Sequence, residues 1–499
     1  MKNNSISTRI FSASLVLLLI LTCLIGCKNH STGPTESSGK EENMNADDVL
    51  VDENGYKLDS LPSMNFEKDE VNILCWNSEQ PEFETEYGDN VIESSIWERN
   101  MTVEERLGVL LNFEETPGDV NNTGNYRDKV LNAWSAGDYW DIVAAHTRTT
   151  AICANQGLLK NLNGINGSYL DFDEPWWSDG AIDATKVGNA FFICTGDIST
   201  NLIQMTYCLY FNADLVKSLD LESPYQLVKD DAWTLEALMN MIKDTYVDQN
   251  NSETVDDGDR IGLVGAYYAW PALLHGCGVP LTTKNEAGNY VIHSDLKGSK
   301  ADGLMTTFEN LVEMKHARIN ASISGFTAGN VLFFITESGA GMNKLSEAGF
   351  EYGCVPLPKY DAQQAQYYST VRQPASFYGI MSNVPDKRLG EVTATLECLA
   401  SEGYRQTTPV IFDECMKYLR ATSQEMSDML ELIRDTAWFD LARIYSYETR
   451  YLCDAPGYVL IDNESYGTTW AGYVNGKLST VEEKLEELNT TLQWLATQN

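Results

Sequence analysis

The acidic and histidine side chains could do chemistry, but their spacing fits none of the common catalytic motifs. The chain holds 72 Asp and Glu residues, so a carboxylate pair of the kind that glycosidases use would arise by chance. The five His residues are scattered, and no zinc-protease, nucleophile-elbow or P-loop motif occurs. We predict that the protein is not an enzyme and uses no cofactor or metal. A surface enzyme such as a glycoside hydrolase is the alternative.

The eleven cysteines show no C-x-x-C pair and no metal-binding spacing. Two of them, Cys23 and Cys27, lie in the N-terminal segment. Many of the other nine lie in apolar runs, as Cys75 and Cys194 do, where a thiol behaves as a small core side chain. We expect mostly buried free thiols, with disulfide pairing as the open alternative.

Cys27 has a different predicted chemistry, because it directly follows a predicted export signal. Lys2 and Arg9 precede an apolar run, Leu15 to Ile20, that is short for a membrane span of about 20 apolar residues. The sequence Leu-Ile-Gly-Cys that ends at Cys27 resembles a bacterial lipobox. That resemblance implies cleavage before Cys27 and attachment of acyl chains such as palmitate, which would hold the mature lipoprotein on the extracellular face of the cell membrane. An ordinary signal peptide with a chance cysteine is the alternative.

The charge of the chain excludes some partners. Removing residues 1–26 takes away Lys2 and Arg9 and moves the formal charge from −37 to −39. Nucleic acid and anionic membrane surfaces would repel this charge, so we expect no nucleic-acid partner and no bilayer contact except through Cys27. With 43% hydrophobic residues in 499 positions, the chain can bury more than one core.

Strand and helix patterns alternate after the N-terminal region. Residues 1–26 are the predicted signal peptide, and residues 27–68 are predicted to be a flexible tether that ends near the first strand. A β-α-β-α-β order then predicts a doubly wound α/β lobe. Its predicted elements are strand 71–76, helix 92–107, strand 109–113, helix 126–136 and strand 141–145.

A second α/β region follows, and the chain ends in helices. Its predicted strands are 206–211, 261–264, 331–335, 352–357 and 377–381. Its predicted helices are 233–246, 301–316 and a C-terminal helix over 479–495. Residues 248–259 faintly resemble a calcium loop, but Glu253 stands where such a loop needs glycine. We therefore expect a solvated acidic loop there.

Three stretches resemble the family 1 extracellular solute-binding proteins, the carbohydrate-binding lipoproteins of Gram-positive ABC importers. The first is Tyr210–Leu238, with Tyr-Phe-Asn-Ala-Asp-Leu, Pro-Tyr-Gln-Leu-Val and Trp-Thr-Leu-Glu-Ala-Leu, in which Ala213 replaces the usual Lys. The second is Phe326–Lys359, which ends in Tyr-Gly-Cys-Val-Pro-Leu-Pro-Lys, and the third is Met416–Met426. Together the likeness covers nearly everything after Asp52.

The resemblance implies a type II periplasmic-binding-protein-like fold, in which crossover strands join two α/β lobes around an interdomain ligand cleft. Carried onto this sequence, lobe one comprises residues 69–197 and 331–373, and lobe two comprises 198–330 and 374–499. The implied function is a monomeric receptor that captures a mono- or oligosaccharide by hinge closure and delivers it to ABC permease subunits. A sensory binding protein that serves a surface kinase is an alternative with the same sequence features.

A sugar site needs flat aromatic surfaces together with forked or carboxylate hydrogen-bonding groups. Candidates lie after predicted strands, beside the implied crossovers or in aromatic clusters. The predicted ligand-binding residues are Trp76, Asn77, Glu79, His146, Arg148, Asp197, Tyr267, Trp270, Glu337, Arg372, Trp438 and Tyr466. Plain structural roles compete for several of them, since Trp76 and Trp270 could be core side chains and Arg372 could neutralise a surface acid.

Overall fold

A computed structural model describes residues 50–78, 80–346, 348–461 and 469–498. Cys27 and the predicted export signal lie outside the described residues. The part from Leu50 onward belongs to a single structural unit. Among the described helices, none combines the length and the apolar character that crossing a membrane requires.

Short strands and helices alternate through the described chain. The strands are β1 (Asp69–Trp76), β2 (Val109–Thr116), β3 (Ile142–His146), β4 (Tyr207–Asn212), β5 (Ile261–Gly265), β6 (Thr282–Lys284), β7 (Tyr290–Ile292), β8 (Ala317–Ile319), β9 (Val331–Glu337), β10 (Tyr352–Val355), β11 (Ser369–Thr370), β12 (Ser376–Ile380) and β13 (Ala437–Trp438). The α-helices are α1 (Val91–Leu107), α2 (Thr123–Ala136), α3 (Thr147–Asn155), α4 (Asp179–Thr185), α5 (Thr200–Gln204), α6 (Ala213–Ser218), α7 (Pro224–Lys229), α8 (Leu235–Ile242), α9 (Trp270–Gly276), α10 (Ser299–Glu313), α11 (Ser324–Thr327), α12 (Ala340–Asn343), α13 (Leu389–Glu402), α14 (Gln424–Asp435), α15 (Leu441–Ile444), α16 (Ala455–Ile461) and α17 (Trp470–Leu495). Wider π-helical turns continue α13 over Gly403–Thr407 and Pro409–Arg420.

The first sheet has the strand order β12-β3-β1-β2. β1 pairs in parallel with both β2 and β3, and β12 adds an antiparallel edge. The second half of β1, Ile73–Trp76, is a buried apolar run, as expected for a strand covered on both faces. Helix α1 begins where the Asn90 side chain accepts the Ile92 amide at 3.1 Å, and it ends at Gly108 with φ 64°. The predicted β-α-β-α-β lobe is confirmed.

The second sheet has the order β10-β4-β9-β5-β8. β5 pairs in parallel with β8 and β9, whereas β4 runs antiparallel to β9 and β10. All residues of β4, β5 and β9 are buried. We name the two sheets with their covering helices lobe one and lobe two.

Two of the segments along which the described chain crosses between the lobes touch each other. The first follows Ser199 toward β4, and the second precedes β12. Thr206 forms a β-bridge with Val371, and the Arg372 amide donates to the Met205 carbonyl at 2.7 Å. These contacts hold the two crossovers side by side at the junction of the lobes.

The sheet pairing differs from the predicted division of the later chain. Residues 331–373 were assigned to lobe one, yet β9 and β10 pair with β4 in the second sheet. Residues 374–499 were assigned to lobe two, yet β12 pairs with β3 in the first sheet. The predicted assignment was wrong for these three strands, because pairing between strands that are distant in sequence leaves no mark in local periodicity.

Residues 50–68, predicted as part of the tether, fold onto lobe one. The Asp59 carboxylate accepts hydrogen bonds from Arg106 at 2.7 Å, Ser401 at 2.6 Å and Arg405 at 3.1 Å. Its side chain is 1% exposed. Burial alone would raise its pKa, but the bonds from Arg106, Ser401 and Arg405 hold the pKa of Asp59 well below its usual range. The tether, as predicted, therefore extended too far into the chain.

Two other expectations concern the C-terminal helix and the thiols. Helix α17 begins at Trp470 after the cap residue Thr469, nine positions before the predicted start at residue 479. The predicted free thiols are confirmed, since all nine cysteines from Cys75 to Cys453 are unpaired and buried.

The acidic loop 248–259 is closed by its own side chains. The Ser252 hydroxyl donates to Asp256 at 2.9 Å, and Asp256 in turn accepts the Gly258 amide at 2.8 Å. Within the described residues, no cluster of three or more His, Cys, Asp or Glu side chains could hold a metal ion.

A buried carboxyl in lobe one makes stability depend on pH. Glu82 is 5% exposed and accepts hydrogen bonds from Ser376 Oγ at 2.6 Å and from the Tyr378 hydroxyl. Burial raises the pKa of Glu82 to about 7, although Ser376, Tyr378 and the nearby Arg99 act in the opposite direction. A carboxyl whose pKa is higher in the folded than in the unfolded state stabilises the fold at low pH and loses that contribution as pH rises.

We therefore expect the free energy of unfolding to fall as pH rises from about 4.5 through about 7, with Glu82 contributing about 3 kcal/mol. Burial also raises the pKa values of Glu397 and Glu448, so they add to the decline. Melting temperatures of wild type and Glu82→Gln between pH 5 and 8 test this. The variant should show a shallower decline, and exposed Glu105→Gln should not. An unchanged slope in Glu82→Gln would contradict the prediction.

Candidate ligand-binding cleft

A cavity of about 460 Å³ lies where the two lobes meet. Lobe one, lobe two, the second crossover and the C-terminal region all contribute to its wall. We name it the central cavity. Its lining residues are Val120, Asn121, His146, Arg148, Tyr207, Tyr267, Tyr268, Arg372, Gln373, Pro374, Arg443, Tyr451, Asp454 and Tyr458.

Strand direction explains why these residues meet. In lobe one, His146 is the last residue of β3, and Asn121 lies in the loop after β2. In lobe two, Tyr267 and Tyr268 follow β5, and Tyr207 begins the antiparallel β4 at the same edge. Loops at the carboxyl ends of parallel strands form the ligand crevice in open α/β folds. Both sheets therefore present their ligand-binding edges to one cavity.

Arg148 connects lobe one to the C-terminal wall of the central cavity. Its Nε donates to Ser446 Oγ at 2.7 Å, and its Nη2 lies 3.0 Å from Gln373 Oε1 and 3.4 Å from Asp454 Oδ2. The guanidinium also lies 4.8 Å from the centre of the Tyr451 ring. A single side chain thus fixes the positions of four others around the cavity.

Arg372 lies on the second crossover. Its Nη1 donates to Glu337 Oε2 at 3.1 Å, and its guanidinium lies 5.8 Å from the Tyr207 ring and 5.4 Å from the Tyr268 ring. Burial would raise the pKa of Glu337, but Arg372 and Lys344 lower it to about 2. Glu337 is therefore an anion that positions Arg372.

His146 is a neutral hydrogen-bonding group in this surrounding. It is 4% exposed, and its Nδ1 accepts the Arg148 amide at 3.2 Å. Burial, together with the charges of Arg148 and Arg372, lowers the pKa of His146 to about 3. Its unprotonated ring lies 5.7 Å from the Trp76 ring in an edge-to-face arrangement.

Tyrosine rings line another part of the central cavity. The Tyr267 ring lies 5.1 Å from the Tyr458 ring at 33° and 5.3 Å from the Tyr268 ring at 77°. Helix α16 brings Tyr458 this close because Gly457 faces Tyr267. A Cβ atom on Gly457 would lie 2.2 Å from the Tyr267 carbonyl oxygen.

A second cavity of about 480 Å³ shares Tyr451 and Tyr458 with the central cavity. We name it the adjoining cavity. Its lining residues are Arg450, Tyr451, Ala455, Tyr458, Tyr473, Gly476, Lys477, Thr480 and Val481. Arg450 and Tyr451 have φ values of 55° and 58°, in the left-handed region that side chains other than glycine rarely adopt. This pair of strained residues turns the chain so that Tyr451 lies at both cavities.

The structure brings four of the twelve predicted residues together at the central cavity, namely His146, Arg148, Tyr267 and Arg372. Glu337 lies outside the described lining of the cavity and accepts a hydrogen bond from Arg372, which belongs to it. Glu79 and Tyr466 lie outside the described residues.

The remaining five predicted residues are absent from the described lining. Trp76 is buried, and its Nε1 donates to Ser376 Oγ at 2.8 Å, while Trp270 is fully buried in lobe two. Asp197 lines a separate small cavity, with Arg434 at 3.8 Å, and Trp438 packs against His275. Asn77 is exposed after β1. The plain structural alternative therefore holds for Trp76 and Trp270.

Sequence reasoning missed the cavity residues of the C-terminal segment, which are Arg443, Tyr451, Asp454 and Tyr458. It also missed Tyr207 and Tyr268. The stretch from residue 443 to 458 holds four tyrosines and two arginines. This high proportion of aromatic and guanidinium side chains is a sequence signal that could have indicated a sugar-binding segment. It contains only short helices, so periodicity gave no reason to place it at the cleft.

Comparison with known proteins gives the fold. No family model and no curated protein matches the sequence. The structure is similar to that of a cyclo/maltodextrin-binding protein complexed with maltotetraose, with a TM-score of 0.53, 14% identity, and coverage of 86% of this chain and 97% of that one. It is also similar to an ABC substrate-binding protein from Listeria monocytogenes in complex with cycloalternan, with a TM-score of 0.52, 13% identity, and coverage of 85% and 99%.

The chain shares the fold of these binding proteins. The predicted two-lobed, periplasmic-binding-protein-like α/β fold is therefore confirmed. At identities this low, the likeness carries the fold, and the function has to be argued from the cleft.

Proposed function

We propose that this chain is the solute-binding receptor of an ABC importer and that it captures a carbohydrate in the central cavity. The observation that carries the proposal is the lining itself. Five tyrosines from lobe two and the C-terminal region share one cavity with three arginines, in a fold whose similar structures hold maltotetraose and cycloalternan. Tyrosine faces suit the C–H faces of sugar rings, and guanidinium groups suit their hydroxyls.

The position of the cleft fits capture by closure. Residues of both lobes and of the crossover line the same cavity, so a solute there contacts both lobes at once. A solute that binds the closed arrangement more tightly than the open one shifts the population toward closure. The permease would then distinguish the loaded receptor from the empty receptor by shape.

A thermal-shift screen with mono- and oligosaccharides tests the proposal, with chromatography of the sugar afterward. A receptor should melt at a higher temperature with its ligand and return the sugar unchanged. Release of a shorter sugar would instead favour a surface glycoside hydrolase. If no sugar shifts the melting temperature, the proposal fails. Uptake of the bound sugar by cells that lack the chain separates importer from sensor, because only loss of an importer abolishes uptake.

Tyr267 should be a main contact of the solute. We expect Tyr267→Ala to weaken binding of the sugar identified in the screen by about tenfold to a hundredfold, since one buried aromatic contact is worth about 1–3 kcal/mol. Isothermal titration calorimetry measures the effect. Tyr418→Ala is the matched control, because Tyr418 is 83% exposed and does not line the described cavities. Equal affinities of wild type and Tyr267→Ala would contradict the assignment.

We further propose that Cys27 carries the lipid that holds the receptor on the extracellular face of the membrane. In the native cell, Cys27→Ala should move the protein from the membrane fraction to the medium, because two or more acyl chains provide durable attachment. Cys23→Ala is the control, since Cys23 precedes the expected cleavage site. Immunoblots of both fractions check the outcome, and a Cys27→Ala protein that stays on the membrane would refute the anchor.

A further inference from the structure

A long helical stretch over residues 389–420 also joins the two lobes. It comprises α13 and the π-helical turns that continue it, and we name it the helical connection. Its first part lies in lobe one, where α13 packs against α1 and Glu397 accepts the indole N–H of Trp176 at 2.8 Å. Its last part contacts α12 of lobe two, and just after it the Thr422 hydroxyl donates to the Tyr352 carbonyl of β10 at 2.7 Å. A change in the angle between the lobes therefore has to bend this connection.

The helical connection has a weak point near its middle. Its π-helical turns begin at Gly403, and Pro409 lacks the backbone N–H that a helix uses as a donor. Helices bend at π-helical turns and at prolines. The weak point lies beside the first crossover, since a Cβ atom on Gly403 would be 2.3 Å from the Asp197 carbonyl oxygen. The residues from Gly403 to Pro409 are therefore the part of this connection where bending is easiest.

Residues 56–59, which we name the strap, are attached to the helical connection at this point. The Asp59 carboxylate, whose side chain is 1% exposed, accepts hydrogen bonds from Ser401 Oγ at 2.6 Å and from Arg405 Nη2 at 3.1 Å. The Arg405 guanidinium also donates to the Lys57 carbonyl at 3.4 Å. Ser401 and Arg405 lie about one helical turn apart. A single buried carboxylate thus holds both sides of the point where α13 passes into π-helical turns.

Lobe one holds the strap in place. Arg106 of α1 donates to Asp59 at 2.7 Å and to Glu402 at 2.6 Å. Charged hydrogen bonds of this kind are stronger than neutral ones, and burial strengthens them further. The Tyr56 ring of the strap lies edge-to-face with the Tyr404 ring, with the ring centres 5.4 Å apart. These contacts fix the helical connection to lobe one as far as its first π-helical turn.

We propose that Asp59 is a positioning residue for closure of the lobes: it clamps the helical connection to lobe one and confines bending to the turns after Arg405. Without the clamp, the bending point can shift along the helical connection, and the lobes of the free protein sample more relative positions. A receptor whose binding-competent arrangement is less populated binds its solute with proportionally lower affinity. The effect on the lobes is a property of the fold, whereas the effect on capture rests on the proposed function.

Distances between spin labels on the two lobes test the proposal in the full chain. Labels at Asn125→Cys in α2 and Thr306→Cys in α10 lie on exposed positions of lobe one and lobe two. Cys23 and Cys27 are replaced by Ala, and the nine described cysteines are buried, so the labels attach to the two introduced thiols. The test variant is Asp59→Asn, which keeps the size of the side chain and removes the charge that the arginines share.

In Asp59→Asn without sugar, the distribution of label distances should be about twice as wide as in the chain that keeps Asp59. The sugar identified by the thermal-shift screen should bind about fivefold more weakly. An equally narrow distribution would overturn the proposal, and a broader distribution with unchanged affinity would overturn its link to capture. If no sugar binds either chain, the proposed function fails, and the distances still decide whether Asp59 positions the lobes.

Asp141→Asn is the matched control. Asp141 is buried in lobe one and pairs with Arg388, which precedes the helical connection and lies far in sequence from its bending point. This variant should lose stability but keep the narrow distribution, and equal broadening in both variants would overturn a specific role of the strap. Should Asp59→Asn not fold, Tyr56→Ala removes the ring contact with Tyr404 and keeps the carboxylate. It should broaden the distribution in the same direction, and an unchanged width would refute the clamp.

Discussion

Gly457→Ala should destabilise the protein by about 1–3 kcal/mol and weaken solute binding at least tenfold. The added Cβ would lie 2.2 Å from the carbonyl oxygen and 3.0 Å from the carbonyl carbon of Tyr267. Both atoms belong to the backbone, so the clash cannot be relieved by rotating a side chain. Helix α16 must move away, and Tyr458 would separate from the Tyr267 ring, 5.1 Å away.

The control is a helical glycine with free space around it. Gly303 lies in α10, where an added Cβ would meet no atom within 4 Å. Gly303→Ala should therefore stabilise the protein by about 0.5–1 kcal/mol through helix propensity and should leave binding unchanged. Chemical denaturation and calorimetry measure both effects. If Gly457→Ala behaves like Gly303→Ala, the close packing of α16 on Tyr267 is wrong.

Arg148→Ala should cost about 3 kcal/mol of folding free energy and abolish measurable solute binding. The substitution removes the hydrogen bonds to Ser446 and Gln373 and leaves Asp454, which is 9% exposed, without its cation. Breaking one side of a buried ion pair is costly, because the remaining charge stays desolvated. The lobe-one wall also loses its connection to the Tyr451 ring.

A double variant separates the charge effect from the packing effect. Arg148→Ala with Asp454→Asn should recover part of the lost stability, because no uncompensated carboxylate remains, but it should not recover binding. Arg127→Ala is the surface control, since Arg127 pairs only locally with its neighbour Asp128 in the described structure, and its cost should stay within about 0.5 kcal/mol. A double variant less stable than Arg148→Ala would refute the ion-pair explanation.

Local sequence patterns predicted the positions of strands and helices well, but they predicted less well which strands pair with each other. The strand over 71–76 and the helix over 92–107 were placed within two residues, because buried strands and amphipathic helices carry their period in the sequence. The strand over 331–335 was also recognised, but its sheet was wrong, since that depends on pairing with β4 and β5. The early start of α17 was missed where Gly472 and Gly476 weaken the helical pattern.

Prediction of the binding-site residues from the sequence had the same limit, because it also depends on contacts between distant segments. His146 was found because it follows a recognisable strand, and the rule that ligands lie at strand ends applies to it. Tyr267 was found because it lies in an aromatic segment that resembles one of the family. Arg443 and Tyr458 were missed because only tertiary packing brings their segment to the cleft. Trp270 was chosen for its aromatic neighbours, yet it is fully buried in lobe two beside Phe308. Residue type alone does not distinguish a binding surface from a core.

The left-handed pair Arg450 and Tyr451 has a consequence for evolution in the laboratory. Glycine or asparagine at either position would relieve the backbone strain and stabilise the fold. A selection for heat resistance alone should therefore enrich such replacements and discard the Tyr451 ring that both cavities share. Heat resistance and solute capture thus place opposite demands on the same two codons, and only a selection that includes growth on the solute would retain both side chains.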